Sequence, residues 1–443
     1  MPTAQPPAPT QPGPAQPVPV PTPTTPATPV PPPPGKQTEE EPTAPKAEVQ
    51  IPQERVPENL FPTRAPTYAG PDLFNPPPHR GFITLTPSFT LSGEYDDNVG
   101  LSSQNRRSDG IFRFVPGGTF TLQKPGFRIA AGVNTSAELF VDDTSSSGFG
   151  KEVQFFADVF YQLSPTVTLS FSDNFIYDRD TNTLTSGGVS VGFEQALRNT
   201  VTGSARWQAT PNTTFSVVGS ETMVRFFNTS TSSDARDSDT YRLGLGVDHR
   251  LTQRWTGGAS LGTAYIDIDR EKPAWTFTPA LTTAYDITRT LRGWLSVGPT
   301  IVERDGDISL FPSIGGGLTQ AFKFGSVTVG YDRAVTAETV GLTDRQAFFG
   351  TLDVPTLLRG LRIGFTPRYA IADTDVSGNR SGINEKLHTF TMTLQATYQI
   401  ARSISLIGSY TYFHQTSDRR GVGDIDQNRV FLGIQYAYPI TIY

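Results

Sequence analysis

The sequence predicts an all-β chain folded as a transmembrane up-and-down antiparallel β-barrel of about 18 strands. A two-residue alternation, a regular succession of short turns and long loops, and two belts of aromatic residues predict it. From Ile83 to Tyr95 every second residue (Ile83, Leu85, Pro87, Phe89, Leu91, Gly93, Tyr95) is apolar or small, and the residues between (Thr84, Thr86, Ser88, Thr90, Ser92, Glu94) are hydrophilic. A period of two belongs to a strand with two unlike faces, not to a helix. The run spans 13 residues. Globular strands have ~5–6 residues, whereas ~9–11 tilted residues cross a bilayer as part of a barrel.

Composition agrees. The 443 residues are 36% hydrophobic and hold no apolar run near the ~18 residues a membrane-spanning helix needs. Modest hydropathy with frequent aromatics and many Gly, Ser and Thr is expected when only one face of each strand meets lipid. A net charge of -6 gives no case for nucleic acid, and the absence of cysteine excludes disulfides, thiolate metal sites and a Cys nucleophile. The chain opens Met1-Pro2-Thr3 with neither a basic nor an apolar leader region. A barrel requires a secretory signal, so we expect it to have been trimmed or the start to be set downstream of it.

Two regions differ in composition. Of 38 prolines, 26 lie in residues 1–78, including Pro31 to Pro34. Proline fixes φ and removes a donor, so residues 1–79 read as a disordered, polyproline-II-rich arm, solvated by Glu39 to Glu41 and lying in the periplasm. It is either a spacer that reaches periplasmic export components or a plain linker.

Residues 80–443 read as the barrel. Its short connections are Lys124-Pro125-Gly126, Ser164-Pro165-Thr166, Thr210-Pro211-Asn212, Thr252-Gln253-Arg254, Thr288-Arg289-Thr290, Lys323-Phe324-Gly325, Arg359-Gly360 and Ala401-Arg402-Ser403, all tight-turn chemistry. Nine mostly longer loops rich in Asp, Arg, Ser and Gly alternate with them, such as 96–110, 178–194, 228–239 and 415–426. Eight turns and nine loops join 18 strands. If the blurred runs at 215–227 and 345–358 are not strands, the number falls to 16. Short turns face the periplasm in bacterial barrels, and an even count puts both chain ends there.

Aromatic residues mark both rims. Tyr161, Tyr285 and Tyr398 stand just before short turns, and Tyr95, Phe175, Tyr177, Tyr241, Tyr265, Trp275, Tyr410 and Tyr412 stand at the opposite ends. Amphipathic rings settle at membrane–water interfaces. The expected surroundings are therefore outer-membrane lipid and lipopolysaccharide. The last strand alternates Val430, Leu432, Ile434, Tyr436, Tyr438, Ile440 and ends near Tyr443, a pattern similar to the C-terminal aromatic signal of barrel assembly.

The inward register is mostly Ser, Thr, Gly, Asn and Gln. Arg113, Arg128, Arg198, Arg206, Arg242, Arg250, Arg292, Arg362, Arg368 and Arg429 project from it, with fewer acids: Glu94, Glu138, Glu152, Asp158, Asp248 and Asp286. Guanidinium forks suit carboxylates and phosphates. Phe156, Phe160, Trp294 and Phe413 on the same register would serve as platforms for sugar rings. The expectation is a hydroxyl-rich, modestly basic lumen for a polysaccharide or other hydrophilic solute, with Arg113, Arg198, Arg242 and Arg292 biasing passage toward anions. The alternative is that the arginines brace the wall through acidic neighbours. An 18-strand barrel is wide enough for a water-filled channel unless plugged.

Catalysis is not expected, and neither is a cofactor or metal. The histidines are His79, His249, His388 and His414, and none has a Ser, Asp or Glu at recognisable motif spacing. His388 and His414 would lie near each other on the outer rim, as two interfacial residues or, alternatively, a metal pair. Asp424 to Asn428 has part of the pattern of a calcium loop but lacks its Gly and distal Glu. Tyr95-Asp96-Asp97-Asn98-Val99 reads as an Asx-type turn, with calcium or a mouth network as alternatives.

That Tyr95 to Val99 motif follows a Thr-alternating first strand and precedes a second strand bearing Phe112, Phe114 and Pro116. Together they resemble the β-barrel porin family of exopolysaccharide and capsule export loci, over residues 80–443. The resemblance implies a large outer-membrane barrel serving as the exit conduit for a secreted polysaccharide. A plugged structural or saccharide-binding surface anchor is the second reading, and an outer-membrane enzyme is the third.

Overall fold

The computed structural model describes residues 82–180, 193–227, 236–338, 341–358, 360–373, 386–418 and 423–442. The Pro-rich arm (1–79) and most of three long loops (181–192, 228–235 and 374–385) lie outside the described residues. The wall strands are β1 (Phe82–Asp96), β2 (Asp109–Lys124), β3 (Phe127–Phe140), β4 (Gly148–Ser164), β5 (Val167–Asp180), β6 (Phe193–Thr210), β7 (Thr213–Phe227), β8 (Ser238–Arg250) and β9 (Trp255–Ile268). They continue as β10 (Ala274–Asp286), β11 (Leu291–Arg304), β12 (Asp307–Phe322), β13 (Gly325–Glu338), β14 (Gly341–Leu358), β15 (Leu361–Asp373), β16 (Lys386–Ala401), β17 (Ile404–Ser417) and β18 (Ile425–Ala437). A short β19 (Ile440–Ile442) prolongs β18 past Pro439. Each strand pairs antiparallel with the next in sequence, and β1 pairs with β18 and β19, so the sheet closes. The result is a closed 18-strand barrel.

Seven of the eight short turns fall where the sequence places them, and the eighth, Arg359-Gly360, lies partly outside the described residues. Four are closed by a hydroxyl at their first position. Ser164, Thr210, Thr252 and Thr288 each accept from the backbone N–H groups two and three residues on, at 2.9–3.3 Å. This local bond offers the chain a turn in place of further strand. The opposite end differs in one connection. β11 and β12 are joined by Asp305-Gly306 alone, both at positive φ (54° and 86°), as a two-residue hairpin demands.

β7 and β14 are complete strands, so the count is 18 and not 16. Their alternation is blurred because β7 turns Val218, Val224 and Phe226 inward and Glu221 and Arg225 outward, while β14 turns Ala347 and Phe349 inward. Elsewhere the outward face is largely apolar, while the inward face mixes polar residues with buried apolar ones such as Ile111, Ile266, Val302, Phe413 and Phe431. Leu91, Phe112, Leu281 and Leu432 are exposed on the outside, while Thr90, Ser92, Arg113 and Thr276 are buried on the inside. Aromatic pairs ring both ends: Tyr241, Tyr265, Trp275 and Phe277 at successive centroid distances of 6.4, 5.1 and 6.3 Å, and Trp207 on Phe215 at 5.5 Å.

The seam between first and last strands brings together two motifs far apart in the chain. Asp96 forms the expected Asx turn by accepting from the Asn98 N–H at 2.9 Å, and its other oxygen accepts from Gln427 Nε2 at 2.8 Å. Asp97 accepts from the Asn428 N–H and Nδ2, both at 2.7 Å. Asn98 is fully buried and donates to the carbonyls of Ser102 (3.0 Å) and Asp426 (2.8 Å). Asp424 to Asn428 is therefore no calcium loop. From Ile425 on it is strand, and Asp426 is taken up by Arg106 and His414.

Removing a buried polar partner while leaving the other costs about 1–3 kcal/mol. Asn98→Ala and Gln427→Ala should each lower barrel stability by that order in urea unfolding in detergent. Because both serve one network, the double variant should lose less than the sum.

Candidate functional site

The inward wall is built on hydroxyl pairs between neighbouring strands: Thr84 with Thr441 (3.3 Å), Ser170 with Ser204 (2.6 Å), Thr200 with Thr222 (3.3 Å), Thr278 with Thr300 (2.9 Å) and Thr319 with Thr328 (3.0 Å). A hydroxyl both donates and accepts, so each pair satisfies its own wall and still offers lone pairs to water or solute.

Charge is distributed unevenly along this wall. Arg113 lies between Glu138 (Nε to Oε1, 2.7 Å) and Glu94 (Nη1 to Oε2, 2.8 Å), with essentially no exposure on any of the three side chains. Its one positive charge meets two carboxylates, so this arginine joins β1, β2 and β3 and leaves no cationic charge over for a solute. Arg345 pairs with Asp332, and Arg304 with Glu271 at 3.1 Å; Arg236 also reaches Glu271. Asp96, Asp109, Asp178 and Asp332 also stand on the inward register, so inward acids are more numerous than the sequence reading found. All these groups lie in the long-loop half. There, Arg198, Arg368, Thr389, Thr391 and Thr393 are buried too, whereas Arg128, Asp158, Phe160 and Arg206 in the other half are exposed.

The candidate residues are thus spread over the height of the wall. Arg242 and Arg362 are half-buried inward residues, and Arg292 is half-buried with Asp286 3.9 Å away. Phe156 lies over Gly132, where a Cβ would stand 2.3 Å from its ring, and Trp294 lies over Gly317, where a Cβ would stand 3.0 Å from Nε1. Each glycine opposes its aromatic in register, so the rings lie against the wall. Arg128 and Phe160 come together as direct cross-strand partners. Tyr95 points outward, and Asp96, Asp97 and Asn98 belong to the seam. Sequence reading missed Arg304 and Arg345. Arg345 sits in a blurred run; for Arg304 the missing signal is its partner Glu271, which lies in the loop after β9.

His388 and His414 point outward, diagonal to one another across β16 and β17. His388 Nδ1 meets the Tyr369 hydroxyl at 2.8 Å, and His414 Nδ1 meets Asp426 at 2.5 Å. Those partners stand on opposite flanking strands, so the rings engage away from each other and not a common metal.

No family model and no curated protein matches the chain. Among solved structures it is similar to OccK3 (OpdO) of Pseudomonas aeruginosa, at 15% identity and TM-score 0.43 over 81% of this chain and 96% of that one. It is also similar to OccAB4 of Acinetobacter baumannii (12%, 0.45, 83% and 100%) and to the siderophore receptor PirA of P. aeruginosa (10%, 0.41, 80% and 80%).

Removing one member of a buried ion group strands its partners and costs about 3–5 kcal/mol. Arg113→Gln should therefore lower urea stability by that order. The triple replacement Glu94→Gln, Arg113→Met, Glu138→Gln should recover most of it, because no charge is left buried.

Proposed function

We propose that this protein is an outer-membrane channel for hydrophilic solutes, saccharides above all, and serves as a conduit for export of an extracellular polysaccharide. The closed barrel with an apolar outside and a hydroxyl-paired inside carries the reading. Such a wall offers a sugar many weak donors and acceptors and no deep trap. Phe156, Phe160 and Trp294 add apolar faces on which a sugar ring can lie. The short-turn end faces the periplasm by the rule for bacterial barrels, and the Pro-rich arm lies on that side, where it meets export components. The polysaccharide assignment rests on the resemblance of the Tyr95 to Val99 motif and its flanking strands.

A second reading, a plugged saccharide-binding anchor, is favoured by the burial of inward side chains throughout the long-loop half. Planar-bilayer recording separates the two. A conduit gives discrete open steps, narrowed reversibly by oligosaccharide; a barrel that inserts yet never conducts is an anchor. Deleting residues 1–79 should leave barrel assembly intact, checked by heat-modifiable gel migration, because the wall begins at Phe82.

A further inference from the structure

Among the described residues, ion pairing is concentrated at one end of the barrel. Every ion pair among them but Arg292–Asp286 lies in the long-loop half. At the short-turn end Lys124, Arg128, Arg250, Arg254, Lys323 and Arg402 are exposed and none makes an ion pair. Acids there are few: Asp158, Asp248, Asp286 and Asp353, of which Asp286 faces Arg292 and Asp248 is within electrostatic reach of Arg206. This mouth therefore carries more cations than acids, and Arg128 makes no ion pair with another described residue.

Part of that charge is arranged with other sugar-binding chemistry. One row of the inward wall runs Gln123, Arg128, Phe160, Ser170, Ser204 across β2 to β6, each directly opposite the next. Phe160 is 43% exposed, unusual for a Phe with a water-filled lumen before it. The Ser170 and Ser204 hydroxyls pair at 2.6 Å. Arg206 follows Ser204 on the same face of β6, nearer the turn, and is exposed. With strands about 4.8 Å apart, Arg128 and Ser204 are separated by about 14 Å. The row therefore offers a guanidinium at one end, a second at the other, and a ring and hydroxyls between.

We propose that this band, Arg128, Phe160, Ser170, Ser204 and Arg206, is a binding site for an acidic, carboxylate-bearing saccharide loaded from the short-turn side. This deepens the channel reading and rests on it for the direction of loading. Each guanidinium pairs bidentately with a carboxylate, the Phe160 face covers the apolar face of a sugar ring, and the serines bond its hydroxyls. The turn-borne Lys124, Arg254 and Lys323 stand exposed at the rim, so in a bilayer headgroup phosphate is the competing source of anion for them but not for the inward pair.

The test uses trigalacturonate as probe and maltotriose as neutral control, on the full chain. In detergent, calorimetry should show trigalacturonate binding at least tenfold tighter than maltotriose. Arg128→Gln with Arg206→Gln should weaken it tenfold or more, as expected for loss of charged hydrogen bonds, and Lys124→Gln with Lys323→Gln should change it less than twofold. In oriented planar bilayers, block from the short-turn side should need at least tenfold less trigalacturonate than block from the other side. No preference for the acidic probe, or equal losses in both double variants, would overturn the site. Binding without any conductance would instead refute the channel reading and leave the site standing on an anchor.

Discussion

Hydrocarbon offers no partner to a backbone N–H or C=O, so a sheet in lipid must have no edge, and everything in this fold depends on β1 meeting the last strand. The register at that seam is unbroken from Ile83 opposite Ile442 to Asp96 opposite Arg429. Pro439 interrupts the last strand but has no N–H to leave unpaired, and the preceding Tyr438 N–H reaches the Pro87 carbonyl at 3.1 Å. The strands that meet come from the two ends of the wall, so closure carries the full entropy of a long loop. A one-residue slip would turn every inward side chain to the lipid. The Asp96, Asp97 and Asn98 turn, bonded to Gln427 and Asn428, fixes the register at the seam's long-loop end.

Once closed, the barrel is stiffened unevenly. In the long-loop half, buried ion groups and packed threonines tie neighbouring strands together. In the short-turn half, exposed arginines and an exposed ring stand in water on a wall held mostly by backbone bonds and turn hydroxyls. The first arrangement suits a constriction that keeps its shape. The second suits a vestibule that gathers solute, because a solvated cation costs little to leave unpaired and remains available to an anion.

The architecture was legible because its signals are local. Alternation needs only neighbouring residues, and Ser164, Thr210, Thr252 and Thr288 announce their turns from within three positions. Pairings between strands were not legible in the same way. That Arg113 belongs to Glu94 and Glu138, or that Asp96 belongs to Gln427, depends on register across strands and, at the seam, on a partner from the other end of the chain. The same limit explains the calcium-loop alternative at Asp424 to Asn428: in isolation the acids look like ligands, and only the seam shows their partners. Arg345 and Asp332 stayed hidden for a second reason, since inward Ala347 and Phe349 blur the period that would have set Arg345 facing the lumen.

A wall that alternates between lipid and water makes one strand the most direct test, and the absence of cysteine supplies a clean background. Single cysteines placed in turn from Val201 to Arg206 on β6, in proteoliposomes, would be exposed to a charged, membrane-impermeant maleimide. Thr202, Ser204 and Arg206 positions should label and Val201, Gly203 and Ala205 positions should not. Uniform labelling along the segment, or labelling of the outward set alone, would contradict a lipid-embedded barrel with an aqueous lumen.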